Sequence, residues 1–227
     1  MKNRGFVFGM LAVAIAVVAI FLFQRKDRPV ASVETPDTQS VLGQQVSSSE
    51  LSKAFIRPHS PRFGNEMARV TVVEWLDPEC EACSAMHPEV KRIISEYKDR
   101  VLFVIRYMPY HDGSMFAATA LEEARELGRF EDALTVLFEK QPEWGNHQKP
   151  RPDLIPTYLA NLGIPLENLD RDKLAAKHGE RVRMDQEDGQ TVGVKGTPSF
   201  FINERPLQEL GPSQLRAAID AALKATK

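Results

Sequence analysis

Cysteine is scarce in this sequence: two residues in 227, Cys80 and Cys83, both inside "DPECEAC". That scarcity excludes a disulfide-stapled scaffold, because the short loop such a pair closes removes little entropy from the unfolded chain. Charge of one sign is lacking too, since 29 Lys and Arg face 31 Asp and Glu for a formal net charge of -2. With no basic tract, no internal repeat and no glycine-rich phosphate loop, nucleic-acid binding is excluded. What is present, 43% hydrophobic and 26% charged residues, is enough for one domain with a real core and excludes disorder throughout.

Near the N-terminus "FVFGMLAVAIAVVAIFLF", Phe6 to Phe23, is an unbroken apolar run preceded by Lys2 and Arg4. As a helix it would span about 27 Å at 1.5 Å per residue, close to the hydrocarbon thickness of a bilayer. Residues 1–26 therefore read as a single-pass membrane anchor, with a cleaved signal peptide as the alternative. Arg25, Lys26 and Arg28 balance the charges before the run, so the positive-inside rule makes no choice of orientation. Either reading exports the rest of the chain and implies an oxidising compartment, where thiols can cycle. Residues 27–54, rich in Ser, Gln, Thr and Pro, read as a tether, with a weak helical segment near Ser49 to Ile56.

The folded domain is expected over 55–227. After the extended "RPHSPRFGN", the β-branched run "RVTVVEWL" suits a buried strand ending at Asp77-Pro78. A helix starting at the cysteines carries Ala85, Val90, Ile93, Ile94 and Tyr97 at mostly helical spacing, with Pro88 inside it, and "VLFVIRYM" reads as a second strand. Strand, helix, strand of this length is a right-handed βαβ unit. A helical insertion comes next over about 114–190, with Ser114 as a cap, Gly128 as a stop, and Phe130, Leu134, Leu137 and Phe138 on one helix side. "TPSFFIN" is then a third strand, "NERPL" a turn into a fourth, and Ser213 the cap of a last helix. The fold class is α/β, in the order β-α-β, helical insert, β-β-α.

A C-x-x-C pair at a helix start has a physical consequence. Free amide N–H groups and the positive end of the helix dipole stabilise a thiolate at Cys80, making it the attacking sulfur, while Cys83 lies one turn further in as the resolving thiol. A metal reading competes, since a helix could bring Cys80, Cys83 and His87 to one side. No second C-x-x-C or paired histidine motif completes a four-ligand set, and His59, His111, His147 and His178 are scattered along the chain. His87 is expected to be a surface or packing residue, and the site to hold no metal.

"VTVVEWLDPECEACSAMHPEV" and, later, "GVKGTPSFFIN" together resemble the thioredoxin-fold proteins of the DsbA-like group, as first strand with active-site helix and as cis-proline strand. The resemblance covers roughly Phe55 to the C-terminus. It implies a thioredoxin fold, a cis Thr197-Pro198 bond beside the cysteines, and a Thr197 backbone able to pair with an extended substrate segment. It also implies that Glu74, an acid interrupting an apolar strand, relays protons for the buried thiol, consistent with the raised pKa expected of a buried carboxyl. DsbA itself carries Pro-His between its cysteines. Here Glu81-Ala82 stands there, with Glu79 and Asp77 close by, and negative charges beside Cys80 predict a less oxidising couple.

The implied activity is extracytoplasmic thiol–disulfide exchange with protein thiols, forming disulfides, with a reductase or isomerase as the alternative. Thr197 resembles the residue in several isomerases, but the tether is too short for their dimerisation module, so a monomer is expected. No organic cofactor is needed. A membrane redox partner that resets the pair is implied, and the expected location is a bacterial inner membrane with the domain facing the periplasm or cell exterior. A copper or zinc carrier using the two thiolates is the competing class.

Overall fold

The computed structural model describes residues 48–226. The apolar run of Phe6 to Phe23 and the tether up to residue 47 lie outside the described residues; among those described, no helix is long and apolar enough to cross a membrane. The chain runs α1 (Ser48–Phe55), β1 (Arg62–Gly64), β2 (Val70–Leu76), α2 (Glu81–Tyr97) and β3 (Val101–Tyr107). The insertion contributes α3 (Ser114–Glu126), α4 (Phe130–Glu139), α5 (Gln141–Trp144), α6 (Ile155–Ala160) and α7 (Arg171–Thr191). β4 (Ser199–Ile202), β5 (Arg205–Pro206) and α8 (Pro212–Ala225) complete the described part.

The five strands form one mixed sheet in the order β1-β3-β2-β4-β5, with β2 parallel to β3 and antiparallel to β4. β2 is central, which is why its residues from Val72 to Leu76 are all buried. The period of two along a strand sorts its side chains between two cores. Val70 and Val72 meet α2 and α8 through Val90, Ile93, Leu215 and Ile219, while Val73 and Trp75 meet Phe55, Phe201 and Val194 on the opposite face. Glu74 shares a face with Val70 and Val72, opposite Ile105 and Phe200 in the neighbouring strands. A third core joins Leu76, Cys80, Cys83 and Tyr107 to the insertion, including the predicted Phe130, Leu134, Leu137 and Phe138.

Several local expectations are corrected. β1 forms within the stretch read only as extended, and pairs with the free edge of β3. Its Gly64 has φ +89° and approaches Val101 so closely that a Cβ would fall 2.3 Å from the carbonyl oxygen. The weak helical segment expected near Ser49 to Ile56 is present as α1, reaching into the stretch otherwise read as tether, and Ala54 is buried. Ser114 does not cap α3: the cap position is Gly113, and the Ser114 hydroxyl turns instead to Asp77. Ser213 does not cap α8 either; Gly211 holds that position and Pro212 takes the first turn, where its missing N–H costs nothing. In α2, Met86 rather than Ala85 faces the core. The helix continues through Pro88.

Arg106, fully buried on β3, is a residue that no local sequence pattern singles out. Its guanidinium bonds Asp185 at 2.8 Å and Asp188 at 2.5 Å, both on α7, and the Ala54 carbonyl on α1. Arg57 adds a second cation to Asp188 at 2.6 Å, and His59 reaches Asp185 at 2.7 Å. A buried charge persists only when so fully partnered. The network fixes α7 to the sheet, and just past its end Gly193 lies in the left-handed region at φ +86°, with the Val194 amide bonded back to the Gly189 carbonyl. That stop aims Val194 to Pro198 at the cysteines.

Candidate active site

The loop from β2 to α2 is pinned by its own acids. Asp77, fully buried, accepts hydrogen bonds from the Glu79 amide at 2.9 Å, the Tyr110 amide at 2.8 Å, the Ser114 hydroxyl and His111 Nδ1 at 2.7 Å. Glu79 accepts from the Gly113 amide at 2.7 Å, and Gln141 Nε2 donates to the Pro78 carbonyl at 3.0 Å. The insertion therefore holds the approach to the cysteines rigid.

Cys80 occupies the cap position of α2 with extended backbone angles, so the first-turn amides face its sulfur. The thiol donates to the Thr197 carbonyl at 3.3 Å. Hydrogen bonding from the Cys83 thiol is the largest influence on Cys80; with the Thr197 side chain and the amides of Cys83 and Ala82 it overcomes burial and lowers the pKa to about 5. Cys83 is 1% exposed, and burial, then the Cys80 sulfur beside it, push its thiol far above the ordinary range. Cys80, at 9% exposed, is the less buried sulfur and has its thiolate favoured, while Cys83 at 1% is held protonated, which is the division of labour thiol–disulfide exchange requires.

Thr197-Pro198 is a cis peptide, Thr197 half-buried and Pro198 buried beside the cysteines. Glu74 is 7% exposed, and no hydrogen bond reaches its carboxyl among the described residues. Burial raises its pKa to about 8. It lines a cavity of about 30 Å³ with His87, Lys91, Ile105, Phe130 and Leu134, and its charge in turn raises the Cys83 pKa. A cavity of that size has room for a water molecule.

Glu81 and Ala82 are exposed at the start of α2, and Glu81 pairs with His147 Nε2 at 2.8 Å. His87 packs on the Phe138 ring with centroids 5.0 Å apart and bonds the Thr135 hydroxyl at 3.1 Å; burial, then Lys91, lower its pKa to about 4. The carboxylates near Cys80 are partnered: Asp77 and Glu79 accept from amides, a hydroxyl and a histidine, and Glu81 pairs with another histidine. Of the histidines scattered along the chain, His111 and His147 meet with ring centroids 4.9 Å apart and planes tilted by 44°, and His147 reaches Glu81 at the start of the cysteine helix. Only the chain's path through the insertion brings them together; the tandem Tyr110-His111 after β3 was the one local signal. Elsewhere, Glu123, Glu126 and His178 offer ligand atoms within 4.8 Å of one another, but Lys177 and Arg181 already bridge those carboxylates.

The family model described as Thioredoxin matches residues 57–221. Disulfide bond formation protein D of Bacillus subtilis (strain 168) is 28% identical over 181 residues, covering 72% of this chain and 77% of that protein. The Na(+)/H(+) antiporter NhaA of Herminiimonas arsenicoxydans is 30% identical over 165 residues, 72% of this chain but 26% of that protein. The chain thus spans about a quarter of the length of the antiporters it matches. Among solved structures, a thioredoxin-like oxidoreductase from Silicibacter pomeroyi DSS-3 superposes with a TM-score of 0.64 at 28% identity, covering 76% of this chain and 97% of that one. With a matched span that takes in both cysteines and the cis-proline strand, the chain belongs to the thioredoxin family.

Proposed function

We propose that the protein is a DsbA-like thiol–disulfide oxidoreductase that exchanges disulfides with protein thiols outside the cytoplasm, in the direction of disulfide formation. The observation that carries this reading is the opposed pair of thiols: Cys80 with its pKa lowered to about 5 and Cys83 buried with its pKa raised. A substrate thiolate attacks Cys80 Sγ of the oxidised pair, the Cys80–Cys83 bond breaks, and Cys83 leaves with the electron pair and takes up a proton. A second substrate thiolate then attacks the substrate sulfur of the mixed disulfide and expels Cys80 as a thiolate. The substrate gains a disulfide, and the enzyme pair holds the two electrons.

Stabilising the reduced, thiolate form makes the disulfide the stronger oxidant, which favours disulfide formation over reduction. Glu74, whose charge raises the Cys83 pKa, is the proton acceptor and donor for Cys83. Thr197 and Pro198 bind the substrate segment next to the sulfur, and Glu81-Ala82 tune the potential. The name of the Bacillus subtilis relative, a disulfide bond formation protein, supports the same direction. Residues 1–26 tether the domain to a bacterial inner membrane, where a membrane thiol enzyme reoxidises the pair; the apolar run supports the anchor.

The test is trapping. Cys83→Ser should accumulate mixed disulfides with substrate proteins at Cys80, and Cys80→Ser should lose exchange; wild-type-like turnover in either variant would reverse the assignment. Equilibration of the wild-type pair with glutathione, alongside metal content after purification, separates the enzyme from a metal carrier.

A further inference from the structure

The dipeptide between the cysteines carries no cation, yet the insertion delivers two imidazoles to the same place. His111 comes just after β3, and its Nδ1 is bound to the fully buried Asp77 carboxylate at 2.7 Å. Asp77 is also the residue whose carbonyl receives the Cys80 amide at 3.1 Å, so ring and sulfur hang from one fixed loop. The ring keeps a partly exposed side chain, and its outer face is covered by His147. His147 is in turn held by Glu81, the residue after Cys80. Glu81, His147, His111 and Asp77 thus form a continuous arc around the amino end of α2.

We propose that His111, oriented by Asp77, is a positioning residue that supplies the cation absent from the inter-cysteine dipeptide: its protonated ring stabilises the Cys80 thiolate, so the oxidising power of the pair rises as His111 takes up a proton. The inference rests on the thiol–disulfide exchange reading. Among the described residues, the following groups lie against or beside the ring. Asp77, Glu79 and Cys80 approach from the β2–α2 loop, Glu81 from α2, His147 from the segment after α5, and Tyr110, Asp112 and Ser114 flank it in its own loop. Burial opposes the charged ring, but the Asp77 hydrogen bond and the charges of Asp77, Glu79 and Cys80 outweigh it, and the pKa is raised above the ordinary 6.5. The protonated ring and the Cys80 thiolate therefore coexist from about pH 5 up to the His111 midpoint, and above that midpoint the thiolate remains while the cation is lost. When the mixed disulfide is resolved, Cys80 leaves as an anion, and the same cation stabilises the departing sulfur.

Coupling between two titrations is reciprocal. If protonated His111 favours the thiolate, the thiolate must raise the His111 pKa by the same factor, and forming the disulfide must remove that increment. Two measurements on the full chain test this. The first needs no variant: NMR titration of the His111 imidazole in reduced and oxidised protein should give a higher midpoint in the reduced form. Equal midpoints overturn the proposal. The second compares iodoacetamide alkylation of Cys80 against pH, and equilibrium with glutathione, for wild type, His111→Gln and His111→Lys. In His111→Gln the Cys80 midpoint should move up, and the equilibrium should shift about three- to tenfold away from the reduced protein; His111→Lys, a permanent cation, should restore part of the shift. Unchanged titration and equilibrium in a folded His111→Gln also overturn it. A wild-type Cys80 that titrates as an ordinary thiol and does not equilibrate with glutathione defeats the exchange reading itself, a result the variants cannot produce.

Discussion

Replacing Glu74 by glutamine should stabilise the reduced protein, increasingly so as pH rises. The carboxyl sits on the central strand with no hydrogen bond among the described residues, and burial raises its pKa from 4.5 to about 8. A folded-state pKa above the unfolded one means that the folded protein binds the proton more tightly. Below about pH 4.5 both states are protonated and the group costs nothing. Between 4.5 and 8 the unfolded chain ionises while the folded one does not, and stability falls throughout that window. At about 1.4 kcal/mol per unit, the full separation amounts to about 5 kcal/mol above pH 8, and the part developed between pH 5 and pH 8 is about 3 kcal/mol. Glutamine keeps the shape and removes the titration. Urea unfolding of wild type and Glu74→Gln under reducing conditions, followed by fluorescence of the buried Trp75 and Trp144, should show a gap that widens by that amount from pH 5 to pH 8. A constant gap, or one that narrows, would refute the buried-acid assignment and with it the proton relay to Cys83.

Alkylation of the reduced protein should label Cys80 alone, with a rate midpoint near the Cys80 pKa of about 5; a midpoint near 8.5, or labelling of Cys83, contradicts the division of roles. Glu81→His breaks the pair with His147 and places an imidazole between the cysteines, so the equilibrium with glutathione should move at least about threefold toward the reduced protein, and no movement would show that the dipeptide does not tune this couple. Asp185→Ala leaves Arg106 with one carboxylate and strips partners from His59 and the Tyr107 amide, so unfolding should cost about 3–5 kcal/mol less, read as a lower urea midpoint at unchanged slope. Gly189→Ala should also destabilise, although alanine is the better helix former, because its Cβ would meet Trp75 Nε1 at 2.7 Å.

The hydrophobic runs of β2, β3 and β4, the helix beginning at the cysteines and the proline before β4 were legible because each is a local pattern whose period or backbone restriction acts over a few residues. Cys80 and Cys83 were legible for the same reason: their spacing alone puts one sulfur at the helix mouth and the other a turn inside. The helical pattern near Ser49 to Ile56 was legible only weakly, and burial of Ala54 and Phe55 is what only the fold supplies. Nor could any local rule foresee the caps of α3 and α8, since the Ser114 hydroxyl was drawn to Asp77 by a tertiary contact.

By itself the sequence determined the β-α-β, helical insert, β-β-α order, the two candidate sulfurs and the presence of both a C-x-x-C helix and a Thr-Pro strand, because these depend on residue type and short spacing. Only the tertiary structure decided the charge around Cys80. Three nearby carboxylates read as repulsion along the chain, but folding satisfies each one and carries in His111 and His147 from 31 and 67 residues downstream of Cys80. Electrostatic energy depends on distance in space and on which partners remain unbonded, and neither is written in the order of residues.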